Sequence, residues 1–351
     1  MMRRNLSAAV RPMAIVTASI LALSLTACGS DADADGSNGD SVLTLVNAGG
    51  DSEMSIKEAY AAPFTEATGT AVRFENPQNL GKIQAMVNSG KITANLFELT
   101  GSEYAIAAAE GLLEPLDWSA IDPEPMLETA EEEFGLGFQY YSTIMAWAAD
   151  AKAPTNWEDF WDTDGFPGRR AIPDFPSYVL PFALIADGVD PENLYPLDLD
   201  RAFESLDKIK DHVIFWDSGS QSAQLLIDGE AAYAIGWSGR FVEVGDAIQY
   251  SFNEGMFDTS YLTIPKGASN VADSYKFLHQ VTIPQNQVKA TEVIRYSGPS
   301  PELGELVSSE VAAKLPTTKA NLDVQFRQDI RWWGENGADV AKRWLAWKQG
   351  S

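Results

Sequence analysis

Short apolar runs alternate with amphipathic segments along the chain from residue 41 onward. The runs at 41–50, 70–76 and 94–100 carry the β-branched and aromatic residues that are typical of strands. In the segments between them, 51–69 and 79–91, apolar residues recur at helical spacing. Strands that alternate with helices predict an α/β fold with a parallel sheet.

The rest of the chain continues this alternation. The pattern predicts helices at 101–113, 154–162, 198–213, 218–231, 271–283, 301–315 and from Asn321 on, strands at 213–218, 231–237 and 250–265, and a strand, a loop and a helix over 168–188. In such sheets ligands bind outside the carboxyl ends of the strands. Here those ends lie at 47–51, at 100–103 and in the segment 139–143.

Residues 1–27 have the pattern of a secretory leader, because arginines precede a short apolar run that ends in small residues. Cys28 is the only cysteine of the sequence, and the order Leu-x-Ala-Cys before the cleavage position resembles a bacterial lipobox. We therefore predict a lipid anchor at Cys28 and a flexible Gly-, Ser- and Asp-rich tether over 28–41. An ordinary leader with an incidental cysteine is the alternative.

The formal net charge is −25, and removal of a leader with three arginines and no acids would make it about −28. Such a surface repels nucleic acid and anionic lipid, so we expect neither as a partner. With two histidines and no cysteine besides Cys28, we expect no metal site, no cofactor and no histidine-based triad. About 310 residues remain for two lobes with separate cores.

Four motifs carry a resemblance to a known family. They are "FTEATG" at 64–69, "NWEDFWD" at 156–162, "GSQSAQLLIDGEAAYAIGWSGR" at 219–240 and "VADSYKFLHQVTIPQNQ" at 271–287. In this order they resemble the solute-binding lipoproteins of bacterial ABC importers, and among these the spermidine/putrescine-type branch. The resemblance covers nearly all of the chain after the tether.

The resemblance implies a type II periplasmic-binding-protein fold, in which two lobes meet at a hinge and bind a solute in the cleft between them. Lobe one would comprise 42–145 and 265–351, including the tryptophans of the last helices, and lobe two 146–264. The protein would be a monomer that is held on the outer face of the cell membrane by its lipid and delivers the solute to a permease.

Arg240 departs from the pattern of a polyamine site. The resemblance implies acids at about the positions that Tyr178, Arg240 and Ser260 occupy in this sequence. Trp237, in contrast, matches the aromatic residue expected in the cleft wall. A guanidinium beside a diammonium ligand is unfavourable, whereas it suits a carboxylate or phosphonate. We therefore predict a small zwitterion or carboxylate, such as a γ-aminobutyrate-like amino acid. A surface ion pair of Arg240 with Glu243 is the alternative role.

An amino-acid ligand also requires an acid for its amine. Asp258 is the first choice because it lies in the next β segment, and Asp174, Asp51 and Glu103 are the other candidates. Further predicted contacts come from strand ends and crossing segments, namely Gly49, Gly50, Ser102, Tyr141, Ser142 and Tyr296.

Three other functions remain open. A polyamine-binding protein would have the same fold and a different ligand. A secreted hydrolase with paired carboxylates is less well supported, because the sequence shows no nucleophile elbow, P-loop or metal motif. A lipid-anchored adhesin would require none of the cleft residues.

Overall fold

The structure is a computed structural model and describes residues 42–350. The predicted leader, Cys28 and the tether up to residue 41 lie outside the described residues. Within the described range the strands are β1 (Val42–Val46), β2 (Ala71–Glu75), β3 (Leu96–Thr100), β4 (Glu131–Glu132), β5 (Gly135–Ala148), β6 (Arg170–Pro173), β7 (Val213–Trp216), β8 (Tyr233–Trp237), β9 (Ile248–Thr263) and β10 (Phe326–Arg327).

The α-helices occupy the segments between these strands. Over the same residues they are α1 (Gly50–Ile56), α2 (Ala62–Thr68), α3 (Leu80–Ser89), α4 (Gly101–Ala109), α5 (Trp118–Ile121), α6 (Trp157–Trp161), α7 (Leu180–Ala186), α8 (Leu199–Asp207), α9 (Gly219–Ile227), α10 (Val271–Thr282), α11 (Pro284–Val293), α12 (Leu303–Leu306), α13 (Ser309–Lys314), α14 (Lys319–Leu322) and α15 (Ile330–Gln349).

Two parallel groups of strands are joined by two long strands. The order is β2-β1-β3-β9-β5-β8-β6-β7, with β10 beside β9 and β4 beside β5. β1 pairs in parallel with β2 and β3, and β6 pairs in parallel with β7 and β8. We call β1–β3 with α1–α4 the first lobe, and β6–β8 with α6–α9 the second lobe.

The strands that connect the lobes depart from the parallel arrangement that the alternation of strands and helices predicts. β5 has 14 residues and β9 has 16, and they run antiparallel to each other. β9 also pairs antiparallel with β3, and β5 with β8. Because each long strand pairs with strands of both lobes, the sheet is mixed and continuous. The α/β class itself is confirmed.

Most of the predicted helices form, with differences at three places. The helix predicted at 51–69 consists of α1, a π-helical turn at Lys57–Ala61 and α2, and Pro63 lies in the first turn of α2. Since proline lacks the N–H that an uninterrupted helix needs, the wider turn before it is expected. The segment 301–315 forms two short helices, and the last helix begins only at Ile330.

The C-terminal helix contacts both lobes. The N-terminal half of α15 packs on α4 of the first lobe, where Gly334 lies close to Ala105. Its C-terminal half packs on the second lobe, where the ring centroid of Trp344 lies 5.8 Å from that of Phe215. Trp347 donates a 2.8 Å hydrogen bond from Nε1 to Asp207. The prediction that the tryptophans of the last helices pack within the first lobe is therefore wrong for Trp344 and Trp347.

A buried arginine holds the segment that enters the second lobe. Arg170, at the start of β6, is fully buried, and its guanidinium donates to the backbone carbonyl oxygens of Phe160, Asp162, Phe166 and Gly168. The guanidinium also lies 4.9 Å from the centre of the Tyr233 ring. One side chain thus supplies donors to four carbonyl groups in and after α6, and its hydrogen bonds to Phe160 and Phe166 are buried.

We expect Arg170→Met to lower the free energy of unfolding by about 3–5 kcal/mol, because it leaves several buried carbonyl groups without donors. Urea denaturation followed by circular dichroism measures the change. Arg169→Met is the matched control, since the Arg169 guanidinium is exposed and its described hydrogen bond is to Val213. Equal losses in the two variants would contradict this role of Arg170.

Candidate functional site

Both lobes present the carboxyl ends of their parallel strands to one cavity of about 780 Å³. From the first lobe, residues 48–51 follow β1 and residues 100–103 join β3 to α4. From the second lobe, the lining comes from the segments after β6 and β7 and from the end of β8. The cavity therefore lies at the edge where α/β sheets bind ligands.

Eight of the predicted ligand residues line this cavity. They are Gly49, Gly50, Asp51, Ser102, Glu103, Tyr178, Trp237 and Arg240. Asp258, Tyr141 and Tyr296 lie behind its wall, in contact with lining residues.

Arg240 is the cation of the cavity wall. It ends the 3₁₀ turn Ser238–Arg240, which directly follows β8, and its side chain is 12% exposed. Its Nη1 donates to Oδ2 of Asp51, which is 57% exposed and belongs to α1 of the first lobe. The ion pair therefore connects the two lobes across the cavity. Glu243, the alternative partner, instead binds Arg295 and Lys314.

Trp237 forms the aromatic wall beside Arg240. Its ring lies nearly parallel to that of Phe175, at 6.4 Å between centroids and 25° between planes. The edges of the Trp216 and Tyr178 rings meet it at centroid distances of 5.2 and 5.7 Å. Because aromatic rings surround it, the indole is held in one orientation.

Asp258 forms a closed triangle with two tyrosines. The hydroxyl groups of Tyr141 and Tyr178 are 2.8 Å apart, and each lies 3.1 Å from Oδ2 of Asp258. Both hydroxyl groups can donate to Oδ2 of Asp258, which favours the ionised carboxylate. Burial acts in the opposite direction and raises the pKa of Asp258 to about 6, so the carboxyl group is mainly ionised at neutral pH.

Glu98 is a second buried acid, and the sequence interpretation missed it. It lies in β3, accepts a 3.0 Å hydrogen bond from the N–H of Ala48 and is hydrogen bonded to Ser260. Burial raises its pKa to about 7. A glutamate within the otherwise apolar run of this strand is the signal that could have identified it.

The other predicted acids already have structural partners. Glu103 accepts from the N–H and hydroxyl of Thr100 and from the N–H of Leu80, so its carboxylate caps α4 while it lines the cavity. The structure does not bring Asp174 to the cavity. It lies 2.6 Å from Nζ of Lys348 and accepts a hydrogen bond from Trp344, because the end of α15 packs there.

Two predicted contacts lie close to the site but are enclosed. Tyr296 is next to Arg240, whose charge opposes the effect of burial, and the pKa of this phenol is raised to about 12. Ser142 is fully buried in β5, and its N–H donates to the hydroxyl of Ser238 at 3.3 Å. Among the described residues the hydroxyl of Ser142 has no hydrogen-bond partner.

Several lining residues were not predicted. They are Ala48, Pro77, Gln78, Asn79, Thr100, Phe175, Ser177, Asp217, Ser218, Gly219 and Ser220. Those at 217–220 follow β7, so the rule that placed the other strand ends in the site applies to them equally.

A second cavity of about 780 Å³ lies between residues 190–195 and 323–327 and contains none of the predicted ligand residues. Within residues 42–350, no group of three or more histidine, cysteine or acidic residues is arranged to hold a metal ion. None of the helices in that range combines the length and apolar character needed to span a bilayer.

Comparison with known proteins agrees with this arrangement. Residues 59–318 match the family described as bacterial extracellular solute-binding protein. The γ-aminobutyric acid-binding protein of Pseudomonas aeruginosa is 31% identical over 317 residues, which cover 87% of this chain and 90% of that protein. The spermidine/putrescine-binding periplasmic protein 1 of Haemophilus influenzae is 23% identical over 325 residues, 85% and 87% of the two chains.

Among solved structures, the Atu4243–GABA receptor superposes with a TM-score of 0.81 at 33% sequence identity, over 87% of this chain and 97% of that one. This similarity confirms the two-lobed periplasmic-binding-protein architecture. The match extends over most of both chains. The chain therefore belongs to the bacterial extracellular solute-binding proteins, which capture small molecules for ABC importers.

Proposed function

We propose that the cavity binds a small amino acid whose amine and carboxylate are separated by a short chain, as in γ-aminobutyrate. The observation that carries the proposal is the presence of a guanidinium and a buried acid–tyrosine cluster beside one aromatic-walled cavity. The names of the Pseudomonas protein and of the solved receptor support the same ligand class.

Arg240 is the group for the ligand carboxylate. In the structure its partner is Asp51, a carboxylate that is more than half exposed to water. A ligand carboxylate can take this place while Asp51 turns to solvent, where its charge is well hydrated. Trp237 and Phe175 then cover the methylene groups between the two ends of the ligand.

Asp258 is the acid for the ligand amine. Asp258 is 4% exposed, and its carboxyl group accepts a hydrogen bond from the hydroxyl of Tyr178, which lines the cavity. An ammonium group that enters beside Tyr178 is attracted by the ionised carboxylate and stabilises its charge.

A diamine fits this site less well than a zwitterion. Its second ammonium would lie beside the like charge of Arg240, whose side chain is only 12% exposed and is therefore poorly screened by water. The polyamine-binding relative is also less similar in sequence than the γ-aminobutyric acid-binding one. Ligand capture would close the lobes by bending at β5 and β9, which join them.

We expect the protein to bind γ-aminobutyrate and release it unchanged, and Arg240→Ala to weaken this binding about 100-fold, since it removes a desolvated partner of the carboxylate. Isothermal titration calorimetry against γ-aminobutyrate, butyrate and putrescine measures the affinities. Arg343→Ala is the matched control, because Arg343 pairs with Asp200 on the surface. Preferred binding of putrescine, or consumption of the ligand, would refute the proposal.

We expect γ-aminobutyrate affinity to fall as the pH drops below about 6, the raised pKa of Asp258. Below this pH the carboxyl group is protonated without ligand, so Kd rises by up to about tenfold per pH unit. Asp258→Asn should bind more weakly and lose this dependence. Titrations at pH 5, 6 and 8 measure it, and an unchanged slope in the variant would exclude Asp258 as the amine partner.

We also propose that Cys28 carries the lipid that holds the protein on the outer face of the membrane. Its position in a Leu-x-Ala-Cys sequence supports this. We expect the wild type to incorporate labelled palmitate in a bacterial host and to sediment with membranes. Cys28→Ala should do neither, whereas Ser30→Ala in the tether should behave as the wild type. A membrane-bound Cys28→Ala variant without label would contradict the anchor.

A further inference from the structure

We infer that Gly219 positions the Arg240 guanidinium, and thereby sets the specificity of the cavity for the anionic end of its ligand. This inference rests on the proposed function. Gly219 is the first residue of α9 and lines the cavity next to Trp237 and Arg240. It would act through these two side chains, without binding the ligand itself.

The space beside Gly219 is filled by the two side chains that the site needs. A Cβ atom at this position would lie 2.8 and 2.9 Å from Cε3 and Cζ3 of Trp237, and 3.0 Å from Nε of Arg240. Carbon atoms in van der Waals contact are about 3.5–4.0 Å apart. Any side chain at residue 219 therefore forces the start of α9 or the indole to move, and it presses on the guanidinium as well.

The first turn of α9 is held in place. Ser218 and Gln221 form a capping box, and the side-chain oxygen of Gln221 accepts from the N–H groups of Asp217 and Ser218 at 2.9 and 3.1 Å. The Ser222 hydroxyl donates to the carbonyl oxygen of Gly219 itself at 2.7 Å. These bonds oppose a shift of the helix start.

The indole is held as well, by the rings of Phe175, Tyr178 and Trp216 around it. The Arg240 side chain is less constrained. Its Nε is buried, and no described residue accepts a hydrogen bond from it. Apart from its terminal contacts with Asp51 and Tyr296, packing alone fixes this flexible chain. A side chain at residue 219 therefore displaces the guanidinium most easily, while its closer overlap with the indole also shifts Trp237.

The backbone at Gly219 does not require glycine. Its φ lies outside the left-handed range, in contrast to Gly49 and Gly50 of the same cavity, whose φ angles are 76° and 59°. Alanine also forms helices more readily than glycine. Gly219→Ala should therefore fold, with its main effect on the positions of the guanidinium and the indole that the new Cβ meets.

The test compares Gly219→Ala with Gly304→Ala, in which the added Cβ has no atom within 4 Å and φ is again outside the left-handed range. With γ-aminobutyrate as the titrant, we expect Gly219→Ala to raise Kd at least about tenfold. Gly304→Ala should bind as the wild type. In an Arg240→Ala background, Gly219→Ala should have a clearly smaller effect, because the part that it exerts through the guanidinium is then absent.

The other possible results distinguish failure of this inference from failure of the proposed function. If the wild type binds γ-aminobutyrate and Gly219→Ala binds it equally well, the inference fails while the proposed function stands. The inference also fails, and the proposed function stands, if the effects of Gly219→Ala and Arg240→Ala on the binding free energy are additive, or if Gly219→Ala does not fold. If the wild type binds no γ-aminobutyrate, the proposed function fails, and a crystal structure of Gly219→Ala decides the inference. An intact contact between Arg240 and Asp51 would overturn it, and a displaced guanidinium would support it.

Discussion

A guanidinium that is largely removed from water needs an anion inside the cavity, and the rest of the site follows from this need. Arg240 finds that anion in Asp51, which comes from the other lobe. The two partners differ in exposure, at 12% and 57%. Because Asp51 is well hydrated when free, replacing it with a ligand carboxylate costs little, whereas leaving Arg240 unpaired costs much. This difference in exposure favours a ligand that carries a negative charge.

One end of the cavity lies on the strands that connect the lobes, and the other end lies between residues of separate lobes. Tyr141 and Asp258 are paired residues on β5 and β9, the long strands that join the lobes. Asp51 and Arg240 lie instead on separate lobes, after β1 and β8. An amine held by Asp258 is therefore fixed near the connection. A carboxylate held by Arg240 lies where the lobes approach each other, so binding at that end is the step that can be coupled to closure.

The positions of the strands and of their carboxyl ends were predictable from the sequence, whereas the contacts between elements that are distant in sequence were not. Apolar runs bounded by turn residues located the parallel strands, and their carboxyl ends located Asp51, Trp237 and Arg240. The strand direction at the connection could not be predicted, because alternation along the chain does not show which strands pair. The partners of Asp174 and the packing of Trp344 likewise depend on where α15 lies. Whether a buried acid such as Glu98 is neutral depends on burial, which appears only in the folded chain.

The charge balance of the cavity explains why a zwitterion suits it best. Among the described residues, the lining contains one cation, Arg240, and the acids Asp51, Glu103 and Asp217; Asp51 pairs with Arg240, and Glu103 caps α4. A dication would place its second ammonium beside the guanidinium, where the two like charges repel each other. A simple anion would displace Asp51 and bring nothing to the tyrosine–acid triangle. A zwitterion provides an anion for Arg240 and a cation for Asp258, whose pKa of about 6 leaves it mainly ionised at neutral pH. The buried charges are then paired at both ends of the cavity.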